Sequence, residues 1–140
     1  MTEALTEEEL AFLRSMFDLA RAGDTAALVE ALDAGVPANL TNEAGDTLLI
    51  LAAYHDHPDT VRALVEHGAD TERVNDRGQT ALGAAVFRRS RPSVTHLLAA
   101  GANPARGERS ALDVARFFNQ QEMLALLESE GDRQRDCQQS

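Results

Sequence analysis

His55-Asp56-His57 is the one place in this chain where two imidazoles flank a carboxylate. Such side chains ligate divalent metals, and a metal held by them could activate water for hydrolysis. A working centre needs a third ligand, and no spaced Cys/His set elsewhere supplies it. His67 and His96 fall on separate helical patterns; His67 precedes a helix-ending glycine, where a cation suits the helix dipole. Cys137, the single thiol, sits in a polar stretch that offers neither a positioned base nor electropositive surroundings. The glycines are isolated rather than clustered into a phosphate-cradling loop. Arg88-Arg89-Ser90-Arg91 is the only basic cluster, and it reads as a solvated turn or as a small contact for an acidic partner. The expectation is therefore a protein without catalysis, metal or cofactor. A metal-dependent hydrolase using His55 and His57 is the remote alternative.

Composition narrows the partners. The formal net charge is −10, and all 13 basic residues are Arg. That charge opposes nonspecific binding to nucleic acid or to an anionic membrane surface. One Cys cannot close an internal disulfide, the acidic start MTEALTEEEL lacks the features of a signal peptide, and no stretch approaches the roughly 18 apolar residues of a membrane span. A cytoplasmic location is expected. The Arg- and Ala-rich, Lys-free usage suggests a GC-rich bacterial source.

Whatever these residues do must be positioned by a repeat. Gly35, Gly68 and Gly101 are 33 residues apart, and Gly131 follows after 30. Each ends a stretch with helical spacing: LVEALDAG, VRALVEHG, VTHLLAAG and LALLESEG. Apolar residues match from copy to copy: Leu28, Ala31 and Leu32; Val61, Leu64 and Val65; Val94, Leu97 and Leu98; Leu124 and Leu127. Their i, i+3, i+4 spacing predicts one apolar face per helix. A shorter helix is predicted before each, around Leu19-Ala20, Ala52-Ala53, Ala85-Val86 and Ala115-Arg116. Pro58 and Pro92 suit a first helical position, where a missing N–H costs nothing. Between copies, Asn42 to Thr47 and Asn75 to Thr80 share Asn-x-x-Gly-x-Thr, which predicts a turn and then a capped helix.

This pattern resembles the ankyrin repeat family, in which a turn and two antiparallel helices recur every 33 residues with a T-P-L-H-x-A signature. The signature stands here as TLLILA (47–52), TALGAA (80–85) and SALDVA (110–115), and the resemblance covers residues 15–131. Its Pro and His are missing from every copy. Ile50, Gly83 and Asp113 occupy the His position, so the Thr–His hydrogen bond that the family implies is absent. Gly83 inside a short helix costs about 1 kcal/mol relative to Ala. Gly83→His with Ala81→Pro is accordingly expected to raise the melting temperature, provided no backbone passes close to Gly83.

The resemblance implies an all-α solenoid, because one helix pair cannot bury its apolar face alone. The expected organisation is a domain over 1–131 with four repeats, at 6–39, 40–72, 73–105 and 106–131, followed by a disordered polar tail at 132–140. Arg116 and Glu128 replace the apolar residues of inner repeats, so 110–130 is expected to be the C-terminal cap. The connection before it, ANPARGERS, is three residues shorter than its predecessor and predicts a truncated finger. At the front, Thr6 to Glu9 form a capping box. Leu10, Leu13, Phe17 and Ala20 then continue one face, giving a first helix that starts early as a shield over the first repeat or as a dimerisation or partner helix.

The candidate binding residues follow from aligning the ends of the shorter helices. Tyr54, Phe87 and Phe117 fall at one repeat position, with Phe118 beside the last and Arg21 in the first copy. Four of the six aromatics of the chain are thus at or next to one position. The resemblance places it on the concave surface beside the finger tips. His55 and Arg88 adjoin the rings, and Glu43, Asp46, Asp76, Arg77 and Gln79 stand on the fingers. An aromatic column ringed by charges suits an interface, where Tyr, Phe and Arg are enriched; the same rings could instead simply pack on one another. The function expected is a non-catalytic protein–protein interaction module, a bacterial adaptor or regulatory partner, with an inhibitor or immunity-type protein masking an enzyme as the alternative. Its partner is another protein that offers a basic or amphipathic segment, not nucleic acid or membrane, and the protein itself is expected to be a monomer.

Overall fold

The computed structural model describes residues 6–129. Among them are α1 (Glu7–Ala22), α2 (Thr25–Asp33), α3 (Leu48–Tyr54), α4 (Pro58–Glu66), α5 (Ala81–Phe87), α6 (Arg91–Ala99), α7 (Ala111–Phe117) and α8 (121–129), with no strand longer than an isolated bridge. The residues at 130–140, including Gly131, Cys137 and the polar tail, lie outside the described residues.

Local chemistry sets the helix starts. Thr47, Thr80 and Ser110 accept the N–H three residues on at 3.0, 3.1 and 3.2 Å, so α3, α5 and α7 open on the same side-chain cap. Thr6 and Asp24 cap α1 and α2 in the same way. Pro58 is the first residue of α4. Pro92 is the second of α6, behind Arg91, which corrects its expected placement; its absent N–H is still one of those without an intrahelical partner.

The helix ends are copies too. At α2, α4 and α6, Gly35, Gly68 and Gly101 take φ of 108°, 86° and 92°. Each donates to the carbonyl three residues back, and the next residue donates to the one five back, which closes the last carbonyls of the helix. The odd helices end on the same two bonds. Only α1 uses glycine there; Asp56, Arg89 and Asn119 hold φ of 60°, 58° and 54°. Part of the Arg88-to-Arg91 cluster is therefore a strained turn, with Arg89 left-handed and Ser90 buried.

The odd helices form one row, each packed on the next, and α2, α4 and α6 form a second. Small residues line the first row: Ala20, Ala52, Ala53, Ala85 and Ala115 have no exposed surface, which lets these helices approach closely. Val61, Leu64, Val94, Leu97 and Leu98 bury the second row, and Leu127 and Met123 continue it on α8. Arg116 and Glu128 point to solvent on the last pair. The front differs from the expected continuous face. Met16, Phe17 and Ala20 are buried, but Leu13 is half-buried and Leu10 exposed, where α1 borders open clefts against residues 34–37 and 40–44.

Three fingers join the pairs. Asn42 and Asn75 each accept two N–H groups through the side-chain oxygen and so fold their own turns. The fingers are tied together by Asp76 N–H to the Ala44 carbonyl and Arg109 N–H to the Gly78 carbonyl, both at 3.0 Å. This lacing opposes the expected benefit of restoring the family signature. A Cβ on Gly83 would lie 3.1 Å from the Arg109 carbonyl oxygen, a backbone atom held by the neighbouring finger. The propensity gain of about 1 kcal/mol is then opposed by an overpacking cost of typically 1–3 kcal/mol. Gly83→His is expected to lower the melting temperature, as measured by circular dichroism. A rise would mean that the third finger yields easily.

Candidate interaction surface

The exposed ends of the odd helices carry the rings. Tyr54 and Phe87 stack with centroids 5.9 Å apart and planes 5° from parallel. Phe87 meets Phe118 edge to face at 5.6 Å, and Phe118 meets Phe117 at 4.9 Å. His55 abuts Tyr54 at 5.3 Å. The column therefore runs through Phe118, not directly from Phe87 to Phe117. Phe118, the C-cap residue of α7, thus carries the ring contact from Phe87 on to Phe117. Tyr54, Phe87 and Phe118 are 37%, 43% and 42% exposed, whereas Phe117 is 82% exposed. The first three rings both pack on one another and face solvent.

Beside the column, in the angle between fingers and odd helices, is a groove of about 460 Å³ lined by Gln79, Phe87, Glu108, Arg109, Asp113, Val114, Phe117 and Phe118. Glu108, Arg109, Asp113 and Val114 were not expected there. Aligning the third finger on its capping residue Ser110 puts Arg109 in register with Gln79, a signal that the shortened connection hides. A second cleft of about 680 Å³ lies in the same angle at the first repeat, between α1 and residues 40–44.

The finger residues divide. Glu43, Asp76 and Arg77 are exposed, as are His55 and Arg88. Gln79 is half-buried and shares the Asn75 amide, which donates to it at 3.3 Å. Asp46 is 7% exposed and accepts from Asn75 Nδ2 at 2.8 Å. It ties the first finger to the second and is not available to a partner, which corrects its expected role.

The histidines are spoken for separately. His57 Nε2 lies 2.7 Å from the Arg21 carbonyl, bracing the first two repeats. Partial burial and the nearby positive charges of His57, Arg21 and Arg88 hold the His55 pKa below its ordinary value. Among the described residues no three His, Cys, Asp or Glu side chains are grouped so as to hold a metal ion. His67 places Nδ1 2.8 Å from the Ala63 carbonyl and Nε2 2.9 Å from Asp33 on α2. Both partners accept, so only the imidazolium satisfies both bonds. Its pKa is accordingly raised above 6.5, first by the Ala63 carbonyl and then by Asp33. A raised folded-state pKa gives stability that is present below pH 6.5 and lost as pH rises through the folded value. The melting-temperature gap between the parent chain and His67→Gln should therefore be widest near pH 6 and shrink in alkali. A gap independent of pH would show that the pair is not charged.

Comparison with known proteins follows the same lines. A family profile described as ankyrin repeats in three copies matches residues 16–108. The chain is 50% identical over 58 residues to an ankyrin repeat protein of Pseudomonas aeruginosa, covering 41% of this chain and 34% of that protein. It is 49% identical over 49 residues to the human NAD-capped RNA hydrolase NUDT12, covering 35% of this chain and 11% of the enzyme. These curated relatives extend well beyond the matched segments, and a match to about a tenth of an enzyme does not carry its activity across. Among solved structures, the human ASB11 ankyrin repeat domain superposes with a TM-score of 0.73 at 27% identity, covering 81% of this chain and 52% of that one. No described helix is long and apolar enough to cross a membrane.

Proposed function

The chain belongs to the ankyrin repeat family, and on that premise we propose that it is a non-catalytic regulatory or adaptor protein that binds another protein along its aromatic column. Ankyrin repeats are in general protein–protein interaction modules. The observation that carries the reading is the four-ring column, left part-exposed beside a groove in a chain with only six aromatics. Rigid aromatic side chains give contact area at low entropic cost, which is why they concentrate in binding hot spots. The net charge of −10 favours a partner that presents a basic or amphipathic segment.

Affinity capture from native lysate, with mass spectrometry, identifies that partner, and competition between parent and ring-deleted chains tests the surface. A captured enzyme whose activity falls on binding would make the protein an inhibitor rather than an adaptor. Metal analysis of the purified protein addresses the hydrolase alternative. Stoichiometric zinc that disappears in a His55→Ala/His57→Ala variant would overturn the non-catalytic reading.

A further inference from the structure

We propose that the groove between the third and fourth repeats receives a cationic side chain of the partner, an arginine or lysine laid along the rings with its charged head between Glu108 and Asp113. The inference rests on the reading of this groove as the partner-binding surface and adds the chemistry of its occupant.

Phe87, Phe117 and Phe118 supply the aromatic lining. The Phe118 plane is turned 69° from Phe87 and 80° from Phe117, so the three rings present faces in different directions rather than one flat wall. A ring face carries the negative part of the aromatic quadrupole and attracts cations. Glu108 and Asp113 line the same groove, both are exposed, and neither has an ion-pair partner among the described residues. Among the described residues Arg109 is the single cation in the lining, against two carboxylates.

The occupant follows by elimination. An apolar side chain would suit the rings but strip water from two carboxylates without pairing them, which is costly. An acidic side chain would meet like charge at both. A long cation satisfies both surfaces at once, because its methylene stem is apolar and its head is charged.

The test uses the full chain and a phage-displayed library of random peptides about twelve residues long, about 40 Å when extended. Selected peptides should share an Arg or Lys whose replacement by citrulline or norleucine weakens binding about tenfold or more, the scale of a desolvated cation–aromatic contact of about 1.4 kcal/mol or more. Glu108→Gln with Asp113→Asn should weaken the parent peptide similarly and remove most of the further effect of citrulline. Peptides that bind without a basic residue, a replacement effect under about twofold, or no enrichment at all would overturn the inference. If binding depends on the rings but not on the two carboxylates, this inference fails while the aromatic column stands. If it survives removal of the rings, the column fails as well.

Discussion

A chain with Tyr54, Phe87, Phe117 and Phe118 all changed to alanine is expected to lose partner binding by about a hundredfold or more and still unfold in one cooperative transition. Fully burying a Phe contributes about 1.5–3 kcal/mol. Phe117, 82% exposed, has most of that still to gain. The three half-exposed rings have roughly 1 kcal/mol each left to gain. Even if association costs and non-additivity consume half the sum, about 2.5 kcal/mol remains, close to a hundredfold in affinity. Stability falls too, because the mutual ring contacts are worth about 0.5–1.5 kcal/mol a pair. The alanine and leucine core behind the rings is untouched. Phe117→Ala alone separates the two roles. Among the described residues its one ring contact is with Phe118, so it should cost about 1 kcal/mol or less in stability yet roughly tenfold or more in affinity. Calorimetric titration with the captured partner and circular dichroism melts measure both quantities. Full binding by the four-ring variant would show that the column serves packing only.

Truncation after residue 109 is expected to produce an aggregating chain. α7 packs on α5, where Ala85 and Val86 have no exposed surface, and Leu98 on α6 and Leu127 on α8 are buried in the same core. Re-exposing Val86 and Leu98 costs about 3–6 kcal/mol, against a total domain stability of about 5–15 kcal/mol. The shortened stack would sit near its unfolding limit with an apolar end exposed. Val86→Arg with Leu98→Glu copies the exposed Arg116 and Glu128 onto the new end and should restore a monomer. Light scattering after gel filtration reads both outcomes. A soluble, monomeric truncated chain without these substitutions would show that α7 and α8 do not cap the stack.

The repeat itself was legible because its determinants are local. Helix caps need a side-chain oxygen three residues before the N–H it accepts, as at Thr47 and Thr80. Helix ends need a left-handed residue, as at Gly35, Gly68 and Gly101. Stacking needs apolar residues at i, i+3 and i+4, as at Val61, Leu64 and Val65. All three are read from spacing alone, and the ring positions came from the same register.

What spacing does not carry is the distance between residues from different repeats. Asp46 looks like any exposed finger carboxylate until Asn75, 29 residues away, donates to it in a buried contact. Gly83 looks like a helix defect until the Arg109 carbonyl is found 3.1 Å from where its Cβ would stand. Phe118 enters the column through its contact with Phe87, and Glu108 and Asp113, five residues apart, line one groove with rings from two repeats. Sequence by itself determined the repeat, its caps and where the rings recur, since hydrogen-bond reach and helical period act over a few residues. Only the tertiary structure decided which charges are struts, which glycine is a clearance and which groove is open, since those depend on how closely successive repeats approach.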